Sequence, residues 1–236
     1  MRSLSVLTGG LAGPRDPARP LLTMYDGSGR VELSGATVAN WVAKTANLLV
    51  DECGRPPRVG VLLPLHWQAP VAVLATVATG ATVVLAVGVD DLAGCDVAFV
   101  DVDRAAAALP VAGEVLVVSL HPLGLPLGAV PASALDLARE VPGQGDHFPG
   151  ATSAPLVELG GQPVLLEGSG LGADDRVLTA MPLAAAPGIA LLGPLHAGAS
   201  MVLIPQPGKV DLAAIAQAEQ VTATAGCRLP GLRQLV

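Results

Sequence analysis

The chain has 236 residues and a formal net charge of −7, and its lysines are confined to Lys44 and Lys209, a balance that argues against a nucleic-acid binder, which needs a basic stripe to displace counterions. Half of it is hydrophobic (51%) but little is aromatic (2%), so a core of Ala, Val and Leu must serve one large domain or two small ones. Cys53, Cys95 and Cys227 are widely spaced with no CxxC, which signals neither disulfide framework nor zinc knuckle, and the brief apolar patch at 4–11, broken by Gly9-Gly10, is no signal peptide, so a reducing cytoplasm is the expected setting.

Residues 1–20, rich in Gly, Pro and Arg, read as a flexible lead-in. Between 21 and 33, the turn Asp26-Gly27-Ser28-Gly29 separates two β-prone pieces and predicts a hairpin. Ser34 offers an N-cap. Val38, Trp41, Val42, Thr45, Leu48 and Leu49 then recur on one face of an amphipathic helix, ended by Gly54 and Pro56-Pro57. Beyond the apolar stretch that starts at Arg58, residues 96–101 read as a buried strand, 105–109 as a helical turn or two, and 115–119 as another strand. From 121 to 155 Gly and Pro dominate, with one helical interlude at 132–140. Residues 156–166 are ambiguous, interrupted by Gly160-Gly161 and Pro163. Near the end, 211–218 predicts a helix capped by Asp211, 221–225 a strand, and Leu229 the start of a further helix.

The stretch 58–85 occurs again at 176–203. In both, Arg-Val opens an apolar run that leads to Pro-Leu (Pro64-Leu65, Pro182-Leu183). A second apolar run follows Gly80-Ala81-Thr82 and Gly198-Ala199-Ser200 at the same spacing. Each copy predicts a strand, a crossover helix and a second, parallel strand. The interiors carry no charge, as strands buried on both faces should. Gly80 and Gly198 serve as left-handed helix stops. The uncharged run 70–89 is long enough to span a bilayer. Pro64 and Pro70 at its mouth, Gly80 with Thr76, Thr79 and Thr82 inside it, and Asp90-Asp91 behind it favour a soluble crossover instead, with no membrane partner. The expected fold is α/β: two pseudo-repeated, βαβ-containing layered subdomains, at 21–120 and 156–236, joined by the Pro/Gly-rich connection 121–155.

With these residues laid out, the chain resembles the N-terminal half of the acyl-adenylate-forming superfamily, the AMP-dependent synthetases and ligases. The match runs through Leu33-Ser34, Ala46-Asn47-Leu48-Leu49, Leu63-Pro64 and Gly80-Ala81. It continues through Gly172-Ala173-Asp174-Asp175-Arg176-Val177-Leu178, Pro182-Leu183, Leu195, Gly198-Ala199 and Val221-Thr222. The combination of Leu33, Asn40-Trp41, Lys44, Asn47 and Leu63-Pro64-Leu65-His66-Trp67 is similar to a short, uncharacterised actinobacterial family of such relatives. The order and spacing of these motifs carry the likeness, which spans 21–236 and covers about the first half of a full-length synthetase.

The chemistry departs from that family. Its members cradle ATP phosphates on a Ser/Thr/Gly-rich loop closed by Pro-Lys-Gly, whereas no lysine or arginine lies between Pro142 and Arg176 here. The candidates are Gly150-Ala151-Thr152-Ser153 and Gly168-Ser169-Gly170-Leu171-Gly172, both read as ordinary loops; Thr152 and Ser153 are retained as ligand candidates. Where the family commonly has Pro-Leu-Phe-His-x-x-Gly at its acyl pocket, this chain has Pro182-Leu183-Ala184-Ala185-Ala186-Pro187-Gly188. The family's mobile lid and its lysine have no counterpart within these residues.

His66-Trp67 follows a predicted strand end, where open α/β sheets place ligands, and could stack and hydrogen-bond a planar or acyl group; the alternative is a packed Trp67 with His66 at the surface. His196 suits a helix C-terminus, and no zinc ligand set is spaced around His121 or His147. Asp90-Asp91 and Asp174-Asp175 read as solvated caps, with acid/base work the lesser option. The function expected is a truncated, non-catalytic relative of acyl-CoA ligases. Such a chain would hold a small ligand or protein partner in the groove between subdomains, at His66, Trp67, Pro182 and Leu183, with no cofactor and no catalytic or metal residue. The alternatives are an enzyme using ATP or AMP with Mg²⁺ that is completed by a second chain, and a homo-oligomer that buries its apolar faces.

Overall fold

The structure, a computed structural model, describes residues 17–150, 156–164 and 170–236. β1 (Pro20–Tyr25) and β2 (Arg30–Ser34) form the antiparallel hairpin expected from the Asp-Gly-Ser-Gly turn. The Asp26 carboxylate closes that turn by accepting the amide and hydroxyl of Ser28 at 2.9 and 2.6 Å. Ser34 then caps α1 (Gly35–Asp51), its Oγ accepting the Thr37 N–H at 3.2 Å. The carbonyls of Pro17 and Arg19 take the amides of Ala36 and Gly35, so the helix start has partners for its first donors. Of the face read from the spacing, Val38, Val42, Thr45, Leu48 and Leu49 are buried and Trp41 is half-buried.

By its packing the chain divides into two compact units, each built round one sheet. The first comprises the described residues of Ala39–Leu63 and Gln68–Val164. Its elements are β3 (Arg58–Leu62), α2 (Gln68–Thr79), β4 (Thr82–Leu85), β5 (Val97–Asp101), α3 (Val102–Ala108), β6 (Glu114–Val118), β7 (Ala134–Asp136), α4 (Leu137–Glu140), β8 (Val157–Leu159) and β9 (Gln162–Pro163). They make a seven-stranded sheet in the order β7-β6-β5-β3-β4-β8-β9, parallel except for β9. Every residue of α2 is buried. A helix wrapped on all sides needs no polar face, which is why 70–89 looks like a membrane span in the sequence. No described helix is long and apolar enough to cross a membrane.

The second unit comprises 17–38, Pro64–Trp67 and 170–236. It adds β10 (Arg176–Thr179), α5 (Gly193–Ala197), β11 (Ser200–Leu203), α6 (Leu212–Ala218), β12 (Ala223–Ala225) and β13 (Arg233–Gln234) to the hairpin, in the order β13-β12-β10-β11-β1-β2. Asp211 caps α6 as expected, accepting the amides of Ala213 and Ala214 at 3.0 Å.

The two repeats have the same strand register. Arg58 lies opposite Thr82 and Val61 opposite Leu85; Arg176 lies opposite Ser200 and Thr179 opposite Leu203. Both closing glycines are left-handed, Gly80 at φ 81° and Gly198 at φ 73°.

Two local expectations are corrected. The interlude at 132–140 begins as strand β7, because the outer edge of β6 offers partners that take Ala134–Asp136 into the sheet, and only α4 is helical. Past Leu229 there is no helix: Pro230 and the left-handed Gly231 turn the chain so that Arg233 and Gln234 pair with β12.

Candidate functional site

In each sheet the first strand of the repeat sits where the strand order reverses. β3 is flanked by β4, reached through α2, and by β5, which leads away to β6. β10 is likewise flanked by β11 and by β12. Open α/β sheets bind ligands at the carboxyl ends of strands at such a switch point. In the first unit the exits that flank it are Leu63 after β3 and Val102 after β5; in the second they are Ala180-Met181-Pro182 and Gly226-Cys227.

The first unit's exits are held by buried polar groups. The Asp101 carboxylate caps α3, accepting the Arg104 amide at 3.1 Å and pairing with the Arg104 guanidinium. Gln68 Nε2, at the start of α2, donates to the Ser119 carbonyl at 2.9 Å, and the Ser119 hydroxyl accepts the His121 amide at 3.3 Å. His121 Nδ1 accepts the Leu123 N–H at 3.1 Å, so in the neutral ring the proton sits on Nε2. Asp91 caps rather than catalyses: its carboxylate accepts the amides of Gly88 and Val87, and those bonds lower its pKa.

The second unit's exits are tighter and less polar. Gly226 is left-handed (φ 79°), and a Cβ there would fall 2.5 Å from that of Met181, so the two exit loops touch through a glycine. The chain from Val177 to Gly208 has no lysine or arginine. After Pro182 the backbone forms a 3₁₀ turn at Leu183–Ala185 and a π-turn at Gly188–Leu192 before α5. A π-turn of this kind often marks a functional position. Burial raises the Cys227 thiol pKa, so this is no activated nucleophile. Arg228 directly follows Cys227 at this exit, and its Nε donates to Gln234 Oε1 at 2.8 Å.

The site residues named from the sequence are placed as follows. His66 and Trp67 are both buried, 4% and 2% exposed, with their rings 5.5 Å apart at 35°. The picture of His66 at the surface is therefore corrected: the Pro64–Trp67 segment belongs to the second unit, with Pro64 half-buried and Leu65, His66 and Trp67 buried. Pro182 is exposed and Leu183 buried in the same unit. Thr152 and Ser153 lie outside the described residues, as do Gly168 and Ser169. Among the described residues no three His, Cys, Asp or Glu side chains gather as a metal site. Sequence reasoning missed the Met181–Gly226 approach and the Asp101 cap. Only Asp101, three residues ahead of Arg104 and at the end of an apolar run, carried a readable signal.

At the opposite, amino-terminal edges each repeat's opening arginine finds a glutamate. Arg58 pairs with Glu158 at 2.9 Å. Arg176 pairs with Glu219, which also accepts Tyr25 Oη at 2.6 Å and Arg30 Nε at 2.7 Å. Burial alone would raise the Glu219 pKa; the bonds from Arg30, Tyr25 and Arg176 more than reverse this and hold it at about 2. Burial and then the neighbouring Glu219 push the Tyr25 hydroxyl up. This cluster fastens the hairpin to β10 and α6.

No protein-family model matches the chain. It is 37% identical over 245 residues to a TIGR03089 family protein of Mycobacterium tuberculosis (strain ATCC 25618 / H37Rv), covering 94% of this chain and 99% of that one. The chain belongs to that family. Among solved structures, an acyl-CoA synthetase from Brucella canis matches with a TM-score of 0.74 at 17% identity. The anthranilate CoA ligase AuaEII, solved with anthranoyl-AMP, gives 0.72 at 19%, and apo MatB from Rhodopseudomonas palustris 0.67 at 18%. Each likeness covers 95% of this chain, which spans about half of theirs, 47% to 49%. The TIGR03089 family chain thus has the fold of the large N-terminal domain of adenylate-forming enzymes.

Proposed function

We propose that this family member is a non-catalytic relative of the AMP-dependent acyl-CoA ligases that keeps a small-ligand site at the carboxyl end of β10 and has given up adenylation. The observation that carries the reading is the β10 exit, where Ala180, Met181, Leu183, Ala184, Ala185 and Ala186 stand with no cation from Val177 to Gly208, while Arg228 beside the β12 exit is bonded to Gln234. Adenylation passes charge through an in-line attack at the α-phosphate and depends on cations for its stabilisation. Small apolar side chains at a switch point favour instead an uncharged or weakly polar group, bound by shape and desolvation. Two measurements test this. Thermal shift with millimolar ATP·Mg²⁺, AMP or a non-hydrolysable acyl-adenylate is expected to show no stabilisation. Carboxylate-dependent ATP–pyrophosphate exchange is expected to stay at background; exchange above it would favour a nucleotide-using enzyme completed by a second chain.

A further inference from the structure

Among the described residues the two sheets end at β2, β7, β9 and β13. Three of these edge strands are short: β7 has three residues, and β9 and β13 have two each, with Pro163 in β9. β2 has five, Arg30–Ser34, and β1 covers one side of it. Alternate backbone groups of such a strand point away from its neighbour and stay unpaired. Among the described residues, no backbone hydrogen bond reaches Arg30, Val31, Glu32 or Leu33 except within the β1–β2 ladder. The side chains at this edge alternate in sign. Arg30 and Glu32 are exposed on one face, and Val31, half-buried, belongs to the other. The Arg30 guanidinium uses Nε and Nη2 on Glu219 and Glu32, and Glu32 accepts through Oε2, which leaves Nη1 and Oε1 for a partner.

We infer that β2 pairs with the β2 of a second copy of this chain, antiparallel about a twofold axis at Val31. In that register Arg30 of each copy lies opposite Glu32 of the other, and the two Val31 side chains meet. Gly29 falls opposite Leu33 and brings no side chain there; nothing lies within 4 Å of where its Cβ would be. Moving the axis one residue either way sets Arg30 against Arg30 or Glu32 against Glu32. Charged edge strands are commonly kept apart by such repulsion. Here the alternation of sign turns it into attraction in the one register centred on Val31. This self-complementarity is what selects a second copy as the occupant, because a twofold contact requires each residue to meet its counterpart's partner in both directions. Two five-residue strands bury well under a standard interface, so the dimer is weak.

The test is sedimentation equilibrium of the whole chain from about 10 µM to about 1 mM, with amide hydrogen exchange at both ends of that range. Expected are a mass that rises toward twice the monomer and protection gained at 29–33 as the concentration rises. Added salt should weaken the association. Glu32→Arg sets arginine against arginine, and Val31→Lys places like charges directly opposite; each should weaken the dimer at least about tenfold. Val31→Lys leaves the contacts of Arg30 with Glu32 and Glu219 in place, so it decides the matter if Glu32→Arg loosens the hairpin. Glu52→Arg, exposed in the first unit, makes the same change in net charge and should leave the dimer as it was. A monomeric mass throughout, or a dimer unaffected by Val31→Lys, would overturn the inference. So would protection of 29–33 that is equal at all concentrations, since the edge would then be covered by the same chain. None of these results bears on the ligand site at β10.

Discussion

The two repeats start from the same pattern and are used differently. In the first, α2 is a continuous helix with every residue buried. In the second, Pro187, Gly188, Gly193 and Pro194 break the crossover into a π-turn and the short α5. Within the strands, Gly60 of the first copy stands where Leu178 stands in the second. Gly60 leaves room for Leu92 and Cys95, whose atoms would lie 2.5 and 3.2 Å from an added Cβ. Leu178 instead packs with Val202, Ile204 and Ile215. The opening arginines diverge as well. Arg58 and Glu158 are partly exposed, with side chains 38% and 14% accessible, whereas Arg176 and Glu219 are at 12% and 7%. One duplicated unit thus tolerates a loose or a tight ion pair, and a smooth or a broken helix. The register, which both copies share, is what the fold requires.

Removing glutamates is the sharpest way to break this comparison. Glu219→Ala strands Arg176 and Arg30 and is expected to cost about 3–5 kcal/mol in urea unfolding. Glu158→Ala, at the equivalent pair, should cost under about 1 kcal/mol. Equal losses would mean that the two pairs are not distinguished by burial. Leu178→Ala should cost about 3 kcal/mol by leaving a cavity. Gly60→Ala, at the same repeat position, should lose about 1–2 kcal/mol by overpacking against Leu92. A stabilising Gly60→Ala would show that the first unit has slack where the structure shows contact.

The pH dependence sharpens the contrast further. The folded-state pKa of Glu219, about 2, lies below the ordinary glutamate value of 4.5. Its contribution is therefore fully present above about pH 4.5 and is lost as pH falls toward 2. The stability gap between wild type and Glu219→Gln should narrow across that window, as read by urea unfolding at successive pH values. A gap that widens with acid would reverse the sign of this argument. The smallest effect is expected at Lys44, whose ammonium donates to the carbonyls of Pro142 and Gln144. Lys44→Ala should speed amide exchange in 142–147 and shift stability by about 1 kcal/mol or less.

The repeat, the hairpin, the amphipathic face of α1 and the Asp211 cap were legible in the sequence because each is a short-range pattern. Alternation, 3.6-residue spacing and turn chemistry act within a few residues of one another. The family likeness was legible for the same reason, as an order of such patterns. Strand β7 was not, since 134–136 became a strand only because β6 had an open edge, and neither was β13 beyond Gly231. The candidate site was half legible. Pro182 and Leu183 mark a strand exit in the sequence, but that this exit is a switch point follows only from the strand order, which depends on β12 crossing to the far side of β10. The burial of His66 and the gathering of Tyr25, Arg30 and Arg176 on Glu219 join residues far apart in the chain. Local sequence set the strands, helices and caps. Which edges met, and which charges were sealed together, was decided by packing, because those energies arise only when distant segments exclude water from one another.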